Sequence, residues 1–213
     1  MARTINDLYN ISVYIVRKER GIFLKVADFN QNMDAGILDA VEFWFKGYGI
    51  DQVLHDAIRP LRAYQPFTSN SSGFVAYNSN YIHLLGNPFT VYGSTVTSPK
   101  IINEDEFSDA MTNQVRAVSN EYPIIVDTAT GFSIYPQSTQ TGAYWYLRRP
   151  VAPTLAVTQV GRTVTYDSAN SVQVELNEMY WNNVVARALK YAGINMDEKG
   201  VSDFANQFDA ETK

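Results

Sequence analysis

Apolar residues recur every three or four positions near both ends of the chain and alternate through its middle, so helices are expected to flank strands. Ile5, Leu8, Tyr9, Val13 and Val16 form the first helical stripe. Thr4 and Asp7 supply a capping box, and the charged run Arg17 to Arg20 with Gly21 closes the segment. Asp28, with Gln31 as its box partner, is the expected cap of a second helix carrying Phe29, Met33, Ile37, Val41, Trp44 and Tyr48. Gly47 and Gly49 mark its end, and a short third helix runs from Asp51 to Ile58 before Pro60.

From Tyr64 the chain turns to Ser, Asn, Tyr and Gly, and strands are expected at 74–77, 81–85 and 89–97. Asn103 and Glu106 read as the capping pair of a helix with a weak apolar face at Phe107 and Met111. Further strands are expected at 123–128, 132–136 and 143–148, the last closed by Pro150, which has no amide to donate. Leu155-Val157 and Val164-Tyr166 flank Val160-Gly161 as a hairpin, and Val172, Val174 and Leu176 alternate in one more strand. Asn177 then caps a helix with Trp181, Val184, Val185, Ala188, Leu189 and Ala192 on one face, ended by Gly193. A tail with Phe204, Ala205 and Phe208 on a short amphipathic stretch follows.

Helices and strands that segregate in this way predict an α+β fold. The N- and C-terminal helices, 1–61 and 177–213, pack as a small bundle, with Trp181, Val185 and Leu189 against Met33, Ile37, Val41 and Trp44. The β-rich part, 62–176, is an excursion with one short helix, and the whole is read as one structural unit.

Composition narrows the function. The chain has 213 residues, 46% hydrophobic and 13% aromatic, enough for a substantial core. Charged residues make up 18%, below the roughly 25% of ordinary globular chains. Two readings of that deficit stand side by side: surfaces covered by partners, or a neutral polar surface rich in Asn, Gln, Ser and Thr. A net charge of −5 argues against gripping nucleic acid, which takes cation clusters, but fits a protein that encloses DNA without holding it. The absence of cysteine removes disulfides, thiolate nucleophiles and cysteine-ligated zinc. No signal-peptide core and no run of about 18 apolar residues is expected to target or span a membrane.

Catalytic chemistry has few footholds. His55 and His83 lack any HxxxH or HExxH spacing, and a structural role is expected for each. Gly47-Tyr48-Gly49 follows a helix and lacks the third glycine of a dinucleotide fingerprint. Neither a nucleophile elbow nor a phosphate loop is present. Glu104, Asp105, Glu106 and Asp109 suit the positive end of a helix, with a calcium site or acid–base pair as the sharper reading. Tyr144-Trp145-Tyr146 offers a sugar-stacking platform, or a two-sided strand buried in protein. Arg148 and Arg149, at a strand end, either pair with acidic groups of a neighbour or are solvated. No enzymatic activity, cofactor or metal is therefore expected.

An ordered series of short motifs carries a resemblance. Asn78-Ser79-Asn80-Tyr81-Ile82-His83 is followed by the acidic helix, Tyr122-Pro123-Ile124, Ile134-Tyr135-Pro136, Tyr146-Leu147-Arg148-Arg149-Pro150 and the closing Trp181 to Asn195 helix. In this order the pieces resemble head-to-tail connector (adaptor or ring) proteins of short-tailed bacteriophages, closest to those of the crAss-like group. Residues 62–73 fall outside the resemblance. It implies a virion structural protein of the tail or neck, assembled in the host cytoplasm. Such a protein forms a homo-oligomeric ring, typically of twelve copies, below the portal. Its partners would be the portal protein and neighbouring tail or ring proteins, with DNA passing through without specific binding and no membrane engaged. The alternative is a sugar-binding or adhesive β-module of a phage fibre or surface protein, using the aromatics around Trp145.

Partner docking is expected at Phe204, Phe208, Arg148 and Arg149. Phe204 and Phe208 lie one turn apart, and the stripe they form is too small to fold alone. Residues 197–213 are accordingly expected to dock on a neighbouring protein rather than on their own domain, the other reading being a frayed terminus.

Overall fold

The computed structural model describes residues 3–113, 117–161 and 163–211; within these, the side chains of Tyr92, Glu198 and residues 208–211 lie outside the description. The chain forms two compact units, residues 1–61 with 150–213, and residues 62–149. As expected, the fold is mixed α+β, with N- and C-terminal helices around a strand-rich middle.

In the first unit, α1 (Ile5–Arg20) begins at the expected capping box, in which the Thr4 side chain accepts from the Asp7 amide and the Asp7 carboxylate accepts from the Thr4 amide. It ends at Gly21, whose φ of 68° is a left-handed cap that a side chain would disfavour. The buried stripe is Ile5, Leu8, Ile11, Ile15 and Val16, centred one position away from the Tyr9 and Val13 expected from spacing. Helix α2 (Val26–Lys46) starts two residues before the expected cap. Lys25 holds its N-cap position without a side-chain bond, and Asp28 lies inside the first turn, where its charge suits the helix dipole. The short α3 (Gln52–Ala57) is capped by Asp51, which accepts from the Val53 amide.

Helix α5 (Trp181–Tyr191) follows a 3-10 turn at Glu178–Tyr180 that Asn177 caps. It packs along α2, as the two apolar faces predict, burying Trp181, Val185 and Leu189 with Met33, Ile37, Val41 and Trp44. The Arg187 guanidinium seals the edge of this contact, 2.7 Å from Asp39 and stacked over the Phe43 ring. Helix α6 (Glu198–Glu211) packs on α1 and α5.

Residues 150–176 belong to this helical unit, where the sequence reading had grouped them with the strands. The reason is local. Asn30 on α2 donates to and accepts from the Leu155 backbone, and Gln173 accepts from the Ile5 amide, one of the orphan donors at the start of α1. Residues 172–176 do not form the expected strand. Only an isolated bridge pairs Thr154 with Val172, while Val174 and Leu176 are buried. Between these anchors rises a hairpin, β10 (Val157–Val160) and β11 (Thr163–Tyr166), a two-stranded sheet of its own.

The second unit pairs two sheets. Strand β9 (Thr141–Arg148) is the spine of the first. One edge pairs along its length with β1 (Arg62–Thr68); the other pairs in succession with β4 (Phe89–Tyr92) and β3 (Tyr81–Leu84). Strand β5 (Thr95–Thr97) turns back on β4, so the single strand expected over 89–97 is a hairpin, broken at Gly93. The second sheet runs β2 (Phe74–Ala76), β8 (Gly131–Tyr135), β7 (Ile124–Thr128) and β6 (Lys100–Ile102), with β6 parallel to β7. Phe67, Tyr144 and Tyr146 of the first sheet meet Val75, Ile125, Phe132 and Ile134 of the second in one core. On the far face of the second sheet, Ile102, Ile124 and Val126 are covered by Phe107 and Ala110 of α4 (Phe107–Thr112). A 3-10 turn, Glu104–Glu106, leads into α4, and Asn103 makes no side-chain cap bond there, so the expected capping pair with Glu106 is absent.

Candidate interaction surfaces

The functional candidates are exposed surfaces, one on each of several elements. The most exposed is the β10–β11 hairpin. In its register, Val157 faces Tyr166 and Gln159 faces Val164, so Val157, Val164 and Tyr166 share one face with Gln159. Thr158, Val160, Thr163 and Thr165 line the other. Val160 is 75% exposed and Val164 57%. Neither strand contains an ionisable side chain other than the terminal Tyr166. Among the described residues, neither outer edge of this sheet pairs with another strand. Natural edge strands carry charges or prolines that block pairing with another chain, and the two strands of this hairpin have neither.

At the foot of the hairpin a turn holds its ends together. Asp167 accepts from the Asn170 side chain, the Asn170 and Ala169 amides and the Thr158 hydroxyl. Those donors, led by the Asn170 side chain, hold its carboxyl below the ordinary carboxylate value.

In the strand-rich unit, the sequence run Tyr144-Trp145-Tyr146 divides between the two faces of β9. Tyr144 and Tyr146 enter the core, while Trp145 points outward, 46% exposed, beside Tyr64 of β1, 48% exposed. The two rings lie 5.0 Å apart at 55°, and the Arg62 guanidinium sits 5.6 Å over Trp145. On the core side, Tyr77 and Tyr81 stack at 3.7 Å and 4°, and the Tyr77 hydroxyl donates to Asp127 at 2.6 Å. Burial, with the Asp127 carboxylate as the next cause, pushes the Tyr77 hydroxyl far above the ordinary tyrosine value. Burial raises Tyr81 and Tyr144 as well.

Beside α4 lies a groove of about 560 Å³, floored by Ile102, Ile124, Ala110 and Val118 and flanked by Glu121 and Tyr122. Lys100 lines it as well, while Glu104, Asp105, Glu106 and Asp109 are exposed on the turn and helix that precede its lining residue Ala110. In the helical unit, the α1–α2 connection exposes Ile22 (55%) and Phe23 (71%) among the exposed cations Arg17, Lys18, Arg20 and Lys25.

The remaining sequence candidates are placed as follows. His55 is stacked on Tyr48 at 5.1 Å and lies 3.4 Å from Asp56; His83 sits in β3 opposite Leu147. Among the described residues no group of three or more His, Cys, Asp or Glu is arranged to hold a metal ion. Among them, too, no helix is long and apolar enough to cross a membrane. Arg148 ends β9 opposite Tyr81 and turns its guanidinium toward the Arg149 carbonyl; Arg149 is exposed, and its amide donates to Asn80. Phe204 is half-buried and packs edge-on against Tyr14 of α1. The Phe208 side chain lies outside the described residues. The expectation that the tail docks elsewhere rather than on its own domain is thus corrected. Val201 and Ala205 are buried, and α6 lies on α1 and α5. Their small side chains make the contact together with Phe204, which is why a stripe judged by aromatic spacing looked too narrow to seat.

No protein-family model matches the chain, and no curated protein matches it.

Proposed function

We propose that this chain is a structural protein of a bacteriophage head–tail junction, assembling as a ring below the portal through which DNA passes. The observation that carries the reading is the β10–β11 hairpin. Apolar valines on both faces and two uncharged edges, on a two-stranded sheet with no other strand beside it among the described residues, are costly to leave in water and marginal alone. They suit a subunit whose surface is covered by neighbours. The net charge of −5 supports the same reading, since a weakly acidic wall lets DNA slide where a cationic one would hold its phosphates. The motif order from Asn78 to Asn195 supplies the family to which the reading belongs.

Labelling tests the position directly. A tag or antibody against the chain is expected to mark purified particles at the junction between head and tail. Labelling at fibre tips or on the host surface would overturn the proposal.

A second reading, a sugar-binding β-module, draws on the exposed Tyr64–Trp145 pair. Its rings are tilted rather than coplanar, and Arg62 already lies over the Trp145 ring, which makes a poor platform for a flat pyranose. The fluorescence of Trp145, titrated with oligosaccharides of the host surface, separates the two readings, since only the sugar-binding module predicts a saturable change lost in Trp145→Ala.

A further inference from the structure

We propose that the β10–β11 hairpins of successive copies join edge to edge, β11 of one copy pairing antiparallel with β10 of the next, until the circle closes as a β-barrel. The inference rests on the ring reading and names the contact that would close the ring.

The ladder of the hairpin fixes where its backbone groups point. The Asp167 amide donates to the Ala156 carbonyl at 3.0 Å, so residues 156 and 167 are a hydrogen-bonded pair at the foot. Antiparallel pairs alternate between bonded and non-bonded. Thr158 with Thr165 and Val160 with Thr163 are therefore bonded pairs, while Val157 with Tyr166 and Gln159 with Val164 are not. The amides and carbonyls of Val157 and Gln159 point out from one edge of the sheet, and those of Val164 and Tyr166 from the other. Among the described residues neither set meets a partner strand. The foot holds this geometry in place: Asp167 gathers Thr158, Ala169 and Asn170, and Asn30 of α2 bonds the Leu155 backbone in both directions. Edges fixed in this way have less freedom to lose on pairing.

Several properties of the edges select another copy of the hairpin as their occupant. The two strands are of equal length, 4 residues each, and each turns two residues outward at the same spacing. Neither strand carries a charge at neutral pH, so identical surfaces meet without the like-charge repulsion that keeps natural edges apart. Copies related by rotation about an axis along the strands all point the same way. The β11 of one then runs opposite to the β10 of the next, and the facing edges are antiparallel with no rearrangement. Across the new ladder threonine meets threonine or valine, pairs that stabilise sheets. A foreign strand would fill one edge and leave the other open, whereas a circle of like hairpins leaves none. Because β10 meets β11, two different patches are in contact, and such a heterologous interface closes when its rotation divides the circle. A ring of about twelve copies would supply about 24 strands, more than the roughly 16–18 of barrels that already enclose an aqueous channel.

The chain has no cysteine, so single cysteines in the full-length protein report the contact. Thr158→Cys or Val160→Cys of β10 is co-expressed with Thr163→Cys or Thr165→Cys of β11, and the assembled protein is oxidised. These residues take the non-hydrogen-bonded positions of the new ladder, where Cα atoms approach to about 4.5 Å, within disulfide reach. At least one pairing is expected to give a disulfide-linked dimer, and each variant expressed alone is expected to give none. Val164→Pro removes an outward amide and no bond within the hairpin. It is expected to raise the association midpoint in sedimentation velocity at least tenfold with an unchanged circular dichroism spectrum, while Val164→Thr, which keeps the amide, associates as the wild type does. An assembly of discrete mass that gives no mixed disulfide, or that Val164→Pro leaves intact, overturns the hairpin contact while leaving the ring reading standing. A disulfide dimer from one variant alone means that like edges meet, and it overturns the head-to-tail pairing. A wild-type chain that stays monomeric also overturns the contact, and the particle labelling described above then decides the ring reading separately.

Discussion

Gly36 and Ala188 bring α2 and α5 to their closest approach: a Cβ built on Gly36 would lie 2.7 Å from the Ala188 amide nitrogen and 2.8 Å from its Cα. These are backbone atoms, so no side chain can swing away. Gly36→Ala gains about 1 kcal/mol of helix propensity, but it must push the helices apart against the packing of Met33, Ile37 and Leu189 around the contact. Overpacking of this kind costs about 1–3 kcal/mol. The substitution is expected to lower unfolding free energy in urea, and an unchanged or raised midpoint would show that α2 and α5 separate freely.

The tail helix is part of the fold. Val201 is fully buried and Ala205 nearly so against α1 and α5. Val201→Ala removes two buried carbons, about 1.6 kcal/mol at about 0.8 kcal/mol each, with any cavity adding to it. Deleting residues 198–213 is expected to cost more still, because it exposes the faces beneath. A truncated chain with wild-type stability would return the tail to the status of a frayed terminus.

Much of this architecture was legible in the chain, and the exceptions share a cause. The capping box at Thr4 and Asp7, the α2–α5 contact and the hairpin around Gly161 depend on local chemistry or on long apolar stripes, and both are visible in sequence. Strand β1 was missed because its inward residues Ala63, Gln65 and Phe67 make no clean apolar alternation, and Pro66 argues against a strand. Its stability comes from β9, some 80 residues further on in its register. The short β6 was missed for the same reason, since its partner β7 is remote. In the candidate surfaces, Trp145 was named but not Tyr64, because only the register of β1 against β9 brings them together. The exposed Ile22–Phe23 pair had a signal available, two large apolar residues within a basic run just after a helix-ending glycine.

Alkaline titration probes the tyrosine core. The folded state holds the Tyr77 proton above the unfolded tyrosine value of 10.0, so its contribution is complete below that pH. It is lost progressively as the pH rises above about 10, where the unfolded chain ionises and the folded one does not. Tyr81 and Tyr144 shift in the same direction and add to the effect. Absorbance at the phenolate band should show a set of tyrosines that ionise only with unfolding, and Tyr77→Phe should make the alkaline limb of the stability profile shallower. Full reversible ionisation of all tyrosines in a folded chain would contradict the hold that partial burial and the Asp127 bond have on the Tyr77 proton.

The hairpin valines separate assembly from stability. Val160→Lys and Val164→Lys place charges on an exposed sheet, so the melting temperature of the monomer should move little. Incorporation into particles should fall sharply, because an edge-strand lysine blocks pairing with another chain. Normal incorporation of both variants would remove the hairpin from the interface.

The central claim, a ring at the head–tail junction, is met most directly by the mass of the assembly that the chain forms when purified alone and together with the portal protein. Native mass spectrometry is expected to give a closed ring of one discrete size, near twelve copies of the 24.0 kDa chain, bound to the portal. A monomer under both conditions, with no mass added to the portal, would contradict it.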